Sequence, residues 1–260
     1  KELPKELPKE LPKELPKESI HLITYGNNKF KNSKQRLINQ ANNTKWFYST
    51  LAYGPENLDE DFKKKFKNIL SKSRIGGYGI WRPYIIKKRL NEINDNDILI
   101  YTDAGTTINS KGKARFDQYI EMLNNSEEGI ISFQLSSNEK SYNTKEVFKY
   151  FNLDPNGDIA NSGQITDCLL IMKKNKNLLK LIDIWLKAVY DNPLMFTDHY
   201  NSIQAPYFKD HRHEQSVFSI IRKMSNPILI KDETYFPGGR PSFGKPISLK
   251  YPFWATRING

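Results

Sequence analysis

The carboxylate of Asp103, at the end of a short apolar run, is well placed in this sequence to do chemistry. Residues 98–101 read Ile-Leu-Ile-Tyr after a polar turn, and Thr-Asp-Ala-Gly follows at 102–105. Such a run predicts a strand buried on both faces, and open α/β sheets bind ligands at the carboxyl ends of their strands. Asp103 is therefore placed to hold a metal ion or a sugar hydroxyl, beside residues small enough to let a ligand approach. An Asp that only caps the following turn is the alternative interpretation.

A second carboxylate, Glu214, opens a predicted amphipathic helix over residues 211–223. It precedes the apolar positions of that helix by 3, 4, 7 and 10 residues, so it should face the core from the first turn. A carboxylate that merely stabilises the positive end of the helix is the alternative, but its inward direction favours a functional role. His211 lies on the same side and is a candidate metal ligand or phosphate partner, although a single histidine is often structural. The predicted buried stripe consists of Val217, Phe218, Ile221 and Met224.

A glycine-rich segment and the helix after it supply candidate phosphate ligands. Residues 76–79 contain three glycines, which permit positive φ and close approach of a ligand to the backbone. Trp-Arg-Pro follows at 81–83 and predicts a helix start, because proline is tolerated in the first turn. Arg82 or Arg74 could grip a diphosphate through its guanidinium group. A surface arginine is the alternative for each of them.

Two of these segments, at this spacing, resemble one enzyme family. The stretch 76–86 followed by 97–105, and the later segment 211–219, are similar to motifs of the GT-A-fold glycosyltransferases found in bacterial surface-polysaccharide clusters and large DNA viruses. The resemblance covers roughly residues 20 to 225. It implies an α/β fold: a GT-A-like, Rossmann-like, mostly parallel sheet flanked by helices in a single domain.

The resemblance also implies roles for residues near the ends of other strands. Thr24 and Tyr25 close the first predicted strand, where GT-A enzymes bind the nucleotide base and ribose of the donor, although an ordinary strand end remains the alternative. Gln164 and Asp167 lie in the polar loop before an apolar strand, where many such enzymes place a polar residue toward the donor sugar. Asp167 could instead satisfy backbone groups at the strand entrance.

The same resemblance implies a divalent cation, Mn²⁺ or Mg²⁺, held by Asp103. GT-A enzymes usually carry Asp-x-Asp, whereas the third position here is Gly105, so one ligand is missing. His211 or water could replace that ligand, or basic residues could do the work of the metal. Glu214 or Asp167 would then be the catalytic carboxylate.

Helical and strand periodicities predict alternating elements after a repetitive start. Residues 1–18 repeat Lys-Glu-Leu-Pro, and a proline in every fourth position predicts a disordered tail. Residues 19–260 are predicted to form the globular domain. Strands are predicted at 19–26, 46–50, 98–101, 129–133 and within 161–172, and helices at 33–40, 59–70, 81–93, 114–123, 178–189 and 211–223. The segment 232–260 has little periodicity and could form a lid, with Arg240 or Lys245 reaching donor phosphates.

Composition bounds the remaining possibilities. The chain of 260 residues is long enough for one sizeable core, and no run of 18 apolar residues predicts a transmembrane helix. The single cysteine, Cys168, excludes an internal disulfide and fits a reducing compartment, so we expect a cytoplasmic protein. The net charge of +11 suits phosphorylated substrates, nucleic acid or the inner face of an anionic membrane.

Transfer of a sugar from a nucleotide-diphosphate sugar to a hydroxyl of a glycan acceptor, in surface-polysaccharide or glycoconjugate synthesis, is the leading hypothesis. A basic nucleic-acid-binding module is an alternative suggested by charge and aromatic content, but the sequence carries no signature of such a module and its lysines are dispersed. We therefore expect no specific nucleic-acid partner. An inactive glycan-binding relative is the third hypothesis, because the Asp-x-Asp motif is incomplete.

Overall fold

The central sheet is built from short apolar segments whose alternate side chains face two separate cores. The structure, a computed structural model, describes residues 18–200, 203–235 and 239–258. Leu99 and Tyr101 belong to one buried cluster, whereas Ile98 and Ile100 belong to the other. Because successive side chains of a strand point to opposite faces, the sheet is covered on both sides. The predicted burial of this strand on both faces is confirmed.

Seven strands of the described residues form this sheet, and two more form a small separate ladder. In chain order the strands are β1 (Ile20–Tyr25), β2 (Ser49–Tyr53), β3 (Ile98–Thr102), β4 (Thr107–Ile108), β5 (Ile130–Asn138), β6 (Gly163–Ile165), β7 (Leu169–Lys173), β8 (Ile228–Lys231) and β9 (Phe253–Trp254). The sheet order is β2-β1-β3-β7-β5-β6, with β8 beside β5, and β4 pairs with β9.

The pairing directions make the sheet mixed but mostly parallel. β1 runs parallel to β2 and β3, and β8 runs parallel to β5. β7 is antiparallel to β3 and to β5, and β6 is antiparallel to β5. Five of the seven strands therefore point the same way, and the carboxyl ends of β1 and β3 reach the same edge of the sheet.

Helices cover both faces. They are α1 (Lys31–Thr44), α2 (Glu60–Lys65), α3 (Lys67–Leu70), α4 (Ile75–Tyr78), α5 (Trp81–Glu92), α6 (Lys113–Asn124), α7 (Glu139–Tyr142), α8 (Lys145–Tyr150), α9 (Asp158–Asn161), α10 (Lys176–Asp191) and α11 (Glu214–Met224). Helices α5, α10 and α11 bury their apolar side chains in one core, and α1 and α6 bury theirs in the other. A sheet between two helical layers confirms the predicted α/β class.

Local sequence explains how α5 and α11 are held at the sheet edge. Gly79 has φ +77°, a conformation that glycine adopts without strain, and its carbonyl accepts a hydrogen bond from the backbone N–H of Arg82 at 2.9 Å. Pro83 occupies the third position of α5, where a missing N–H costs no helical hydrogen bond. In the same core, Trp185 of α10 stacks on Phe218 of α11 with ring centroids 3.6 Å apart. These contacts bring the first turns of α5 and α11 toward the same edge.

Three local predictions need correction. The second strand spans 49–53 and not 46–50. The helix expected over 59–70 is interrupted at Phe66, whose φ and ψ are −105° and 19°, so two shorter helices replace it. Met224 was expected in the buried stripe of α11 but is 53% exposed, because it is the last residue of that helix.

Two other predictions concern the ends and the membrane. The predicted disordered tail falls on residues 1–17, outside the described part of the chain, and on Glu18. Among the helices in the described ranges, none combines the length and apolar character required to cross a membrane.

Candidate active site

A large cleft lies at the carboxyl edge of β1 and β3. Its volume is about 1150 Å³, more than a drug-sized ligand needs. Tyr25 and Gly26 from the end of β1, and Asp103 from the end of β3, form part of its wall. The first turns of α5 and α11 contribute Arg82 and Glu214. The sequence-based prediction that a ligand site lies at this sheet edge therefore agrees with where the cleft is found.

The wall of this cleft carries a cluster of three carboxylates around one guanidinium group, here called the Arg82 cluster: Arg82, Asp103, Asp167 and Glu214. Arg82 Nη1 donates hydrogen bonds to Asp167 Oδ2 and to Glu214 Oε1, and Nη2 donates to Asp103 Oδ1 at 3.1 Å. Only 3% of the Arg82 side chain is exposed. The two carboxylates that the sequence placed at the end of β3 and at the start of α11 therefore meet at one cation.

Asp103 is the member of the cluster most open to the cleft. Its side chain is 45% exposed, while Oδ1 accepts hydrogen bonds from Arg82 and from the Tyr101 hydroxyl at 2.8 Å. Burial by the surrounding wall raises the pKa of Asp103, and the charge of Arg82 opposes that rise. Ala104 and Gly105 also line the cleft, and the Cα of Arg257 would lie 2.9 Å from a Cβ at position 105. The small residues after Asp103 thus make room for a neighbouring backbone as well as for a ligand.

Glu214 and Asp167 lie deeper. Burial raises the pKa of Glu214 well above its ordinary value, the nearby Asp167 carboxylate raises it further, and Arg82 opposes both effects. Glu214 Oε2 is buried and has no hydrogen-bond partner among the described residues. The inward direction predicted for Glu214 is confirmed, since the residue is 2% exposed. Asp167 contacts the side chain of Arg82, so it is more than a cap for the strand entrance.

The environment of Arg82 differs from the two environments that the sequence suggested. A surface arginine and a phosphate clamp were the two expectations, and both suppose a free guanidinium group. Instead the group is buried and both of its terminal nitrogens are bonded to carboxylates. Arg74, the other phosphate candidate, also lines the cleft but remains about half exposed.

Tyr25 is in the cleft, whereas its neighbour Thr24 is not. The ring of Tyr25 stacks on Trp81 with centroids 3.7 Å apart and planes 16° apart. Thr24 is completely buried and lies outside the residues that line the cleft. Because neighbouring strand residues point to opposite faces, only one of the two predicted donor contacts can face the cleft from the strand itself.

Gln164 is also completely buried and does not line the cleft. Its side-chain carbonyl accepts hydrogen bonds from Arg212 at 3.2 Å and from Gln215 at 2.7 Å, two residues that do line it. Its amide group donates to Glu139 at 3.1 Å. Gln164 therefore holds Arg212 and Gln215, two residues of the cleft wall, in position. Because its side chain is buried, it has no exposed surface for the predicted direct contact with a donor.

His211, predicted as a second metal ligand, is not brought together with Asp103 in the cleft. It is completely buried outside the cleft wall, and its Nε2 lies 2.8 Å from the carbonyl oxygen of Met195. Its neighbour His213 does line the cleft, and its Nε2 lies 2.8 Å from Asp198 Oδ1. His213 has φ +55° and ψ −123°, an uncommon backbone conformation for a residue other than glycine, directly before α11.

Seven basic side chains line the rest of the described cleft wall. Apart from Arg82 they are Lys63, Lys67, Lys72, Arg74, Arg212, Arg240 and Arg257, here called the basic rim. Three acidic residues face them, all in the Arg82 cluster. Arg240, predicted as a phosphate contact, is in the rim, whereas Lys245, the other candidate, is not. Arg257 escaped sequence reasoning because the segment around it has no periodicity that would place it.

No family model and no curated protein sequence matches the chain. Among solved structures, the chain is similar to a glycosyltransferase involved in the glycosylation of the major capsid of PBCV-1, with a TM-score of 0.51 and 13% identity over 93% of this chain and 95% of that one. The two chains share a fold. The predicted GT-A-like architecture is thereby confirmed.

Two further solved structures are more distant. Mouse xyloside xylosyltransferase 1 gives a TM-score of 0.44 at 10% identity over 93% of this chain and 94% of that one. The galactosyltransferase LgtC, whose structure contains donor and acceptor sugar analogues, gives 0.43 at 8% identity over 92% and 84%.

The residues present do not fit a divalent ion held by Asp103 and His211. Within residues 18–200, 203–235 and 239–258, no group of three His, Cys, Asp or Glu side chains is arranged to hold a metal ion. Asp103 Oδ1 is already occupied by Arg82 and Tyr101. The guanidinium group of Arg82 lies among the three carboxylates, where a cation would be expected. Dependence of an activity on divalent ions stays a prediction.

Proposed function

We propose that this protein is a glycosyltransferase that moves a sugar from a nucleotide-diphosphate sugar to a hydroxyl group of a glycan acceptor. The observation that carries the proposal is the Arg82 cluster, where Asp103 and Glu214 meet on the wall of the large cleft at the sheet edge. The shared fold supports it, because the similar PBCV-1 protein is a glycosyltransferase. Surface-polysaccharide or glycoconjugate synthesis is the setting we propose for it.

The charge of the cleft supports a diphosphate leaving group. Departure of a nucleoside diphosphate builds negative charge in the transition state, and catalysis requires fixed positive charge or hydrogen-bond donors at that point. The seven residues of the basic rim supply this charge. Two observations associate Arg257 with the reacting edge: its charge favours ionised Asp103, and its backbone lies close to Gly105.

Two catalytic carboxylates with different roles suit the transfer step. A general base must be ionised to accept the proton of the acceptor hydroxyl. Because the pKa of Glu214 is raised well above its ordinary value, we assign the base to Asp167 and a hydrogen bond to the reacting sugar to Glu214. Asp103, the most open carboxylate, is assigned to binding of a donor hydroxyl. Tyr25, stacked on Trp81, is assigned to the flat face of the nucleotide base.

A thermal-shift screen of nucleotide-diphosphate sugars, each with and without Mn²⁺, tests the proposal. A true donor stabilises the folded state by mass action, and its addition with a mixture of acceptor glycans should release nucleoside diphosphate. Asp103→Asn is the active-site variant, and Asp183→Asn, at an exposed position on α10 outside the cleft, is the matched control. Stabilisation by glycans without any release of nucleoside diphosphate would favour an inactive glycan-binding protein instead.

A further inference from the structure

The Arg82 cluster places a protein cation where three carboxylates converge. The oxygens come from three separate elements: Asp103 from the end of β3, Asp167 from the loop before β7, and Glu214 from the first turn of α11. The exposed fractions of the Asp167 and Glu214 side chains are 8% and 3%. Burying three carboxylates together is costly unless a cation compensates them. Arg82 provides one positive charge and contacts all three.

Oxygen ligands from three carboxylates are what a hard divalent ion such as Mn²⁺ or Mg²⁺ prefers. Here Arg82 of α5 lies where such an ion would bind. The preceding residue, Trp81, donates a hydrogen bond from its indole N–H to the carbonyl oxygen of Ile75 at 3.0 Å. The backbone N–H of Arg82 is also bonded, to Gly79. The start of the helix is therefore held by two contacts, and the guanidinium group is held by its hydrogen bonds to the three carboxylates.

We propose that Arg82 is a positioning residue that takes the place of a divalent ion, so that the cleft binds a nucleoside diphosphate without a metal. The identity of the ligand in this inference rests on the proposed function. The presence of the Arg82 guanidinium group among the three carboxylates does not. Arg82 itself is neutralised by its three carboxylates, so it holds them in place and does not grip the diphosphate. The diphosphate is met by the basic rim, which lies in the same cleft.

The charge of Arg82 should stabilise the fold through the cluster. Arg82→Met keeps most of the side-chain volume but removes the charge, leaving three carboxylates without a cation. The variant should be strongly destabilised. Arg82→Lys keeps one positive charge in the cluster and should be destabilised less.

The first experiment measures Tm with increasing MnCl₂ alone, after treatment with EDTA and its removal. We expect no saturable shift for the natural protein or for Arg82→Lys. Without MnCl₂ we expect a lower Tm for Arg82→Met than for Arg82→Lys, because only the lysine variant keeps a cation among the buried carboxylates. A saturable rise in the natural protein would overturn the proposal. If Arg82→Met does not fold, the natural protein and Arg82→Lys still give a decisive answer.

The second experiment measures binding of UDP, GDP, CDP and TDP to the natural protein by calorimetry, in EDTA and in MnCl₂. We expect at least one of them to bind in EDTA with an affinity within about threefold of that in Mn²⁺. Binding only in the presence of Mn²⁺ would overturn the proposal and leave the glycosyltransferase assignment standing. Failure of every nucleotide to bind under both conditions would count against the proposed function, whereas the MnCl₂ titration would still test the occupancy of the cluster.

Discussion

Asp103 and Glu214 are joined through one side chain, although one ends a central strand and the other opens a late helix. Both accept hydrogen bonds from Arg82, at 3.1 and 2.5 Å. The pair is therefore a single electrostatic unit with Asp167 as its third carboxylate. A substitution of any one of these three carboxylates should alter the environment of the other two. The effects of paired substitutions on the free energy of unfolding should therefore not be additive.

Neutral isosteres of the two carboxylates should remove sugar transfer and preserve the fold. We expect Asp103→Asn and Glu214→Gln each to lower the rate of nucleoside diphosphate release by about 10²-fold or more, because each loses an interaction with the reacting groups. Circular dichroism should show unchanged secondary structure. Asp183→Asn serves as the control, since Asp183 pairs with Lys87 on the surface. Full activity of either cleft variant would remove that residue from the site.

Gly79 controls the position of Glu214. A Cβ at position 79 would lie 2.2 Å from Cδ of Glu214, and the residue has φ +77°. Gly79→Ala should therefore displace the Glu214 carboxylate, abolish activity and lower the free energy of unfolding. Gly244→Ala is the matched control, because Gly244 has φ +81° but no atom within 4 Å of the added methyl group.

The two glycine variants share the backbone penalty, which is about 1 kcal/mol. Chemical denaturation of both proteins separates the remaining effect. We expect Gly79→Ala to lose at least about 1 kcal/mol more than Gly244→Ala, and only Gly79→Ala to lose activity. Equal losses in the two variants would show that Glu214 has room to move.

His211 should make the protein sensitive to acid. Burial lowers its pKa to about 4, and the neighbouring charge of His213 acts in the same direction, while the carbonyl groups of Met195 and Tyr142 and the carboxylate of Asp198 act against it. The unfolded chain takes up a proton on this residue near pH 6.5, whereas the folded protein does so only near pH 4. The contribution of His211 to stability is therefore fully present above pH 6.5 and is lost as the pH falls toward 4.

The loss from this residue is of the order of 3 kcal/mol across that range. Urea denaturation between pH 7 and pH 4 measures it, and His211→Asn should flatten the curve by that amount. His199→Asn, at an exposed histidine, should leave the curve unchanged. Parallel curves for the natural protein and His211→Asn would mean that His211 titrates normally in the folded state.

Glu139 and Lys223 form a second buried ion pair, separate from the Arg82 cluster. Lys223 Nζ lies 2.7 Å from Glu139 Oε1, with side chains that are 7% and 0% exposed. Removal of either partner leaves the other charge buried, at a cost of about 3–5 kcal/mol. Glu139 also accepts hydrogen bonds from Asn143 and Gln164, so Glu139→Gln keeps the shape but disturbs this network.

A double-mutant cycle on this pair isolates the interaction. We expect Glu139→Gln and Lys223→Met to be strongly destabilising alone, and the double variant to be destabilised by much less than their sum. Chemical denaturation gives the four free energies of unfolding. Additive effects would mean that the two charges do not interact. The folded Glu139→Gln variant would then contain a buried Lys223 without the charge of Glu139.

Local sequence was sufficient for the elements and for the direction of single side chains. The run 98–101 predicted a strand buried on both faces because every residue in it is apolar, and the structure agrees. The spacing from Glu214 to Val217 and Phe218 predicted an inward carboxylate, because three or four residues complete one helical turn. The interruption of the 59–70 helix at Phe66 was not predictable from the same periodicity, since its apolar positions continue through the break.

What the sequence determined by itself was therefore the α/β pattern, the strand-end position of Asp103 and the inward face of Glu214. Tertiary structure alone decided that Arg82 sits between them, that His213 and not His211 reaches the cleft, and that Arg257 joins its rim. The physical reason is range: helix and strand periodicity acts over a few residues, whereas a shared ion cluster depends on how elements far apart in the chain pack across the sheet.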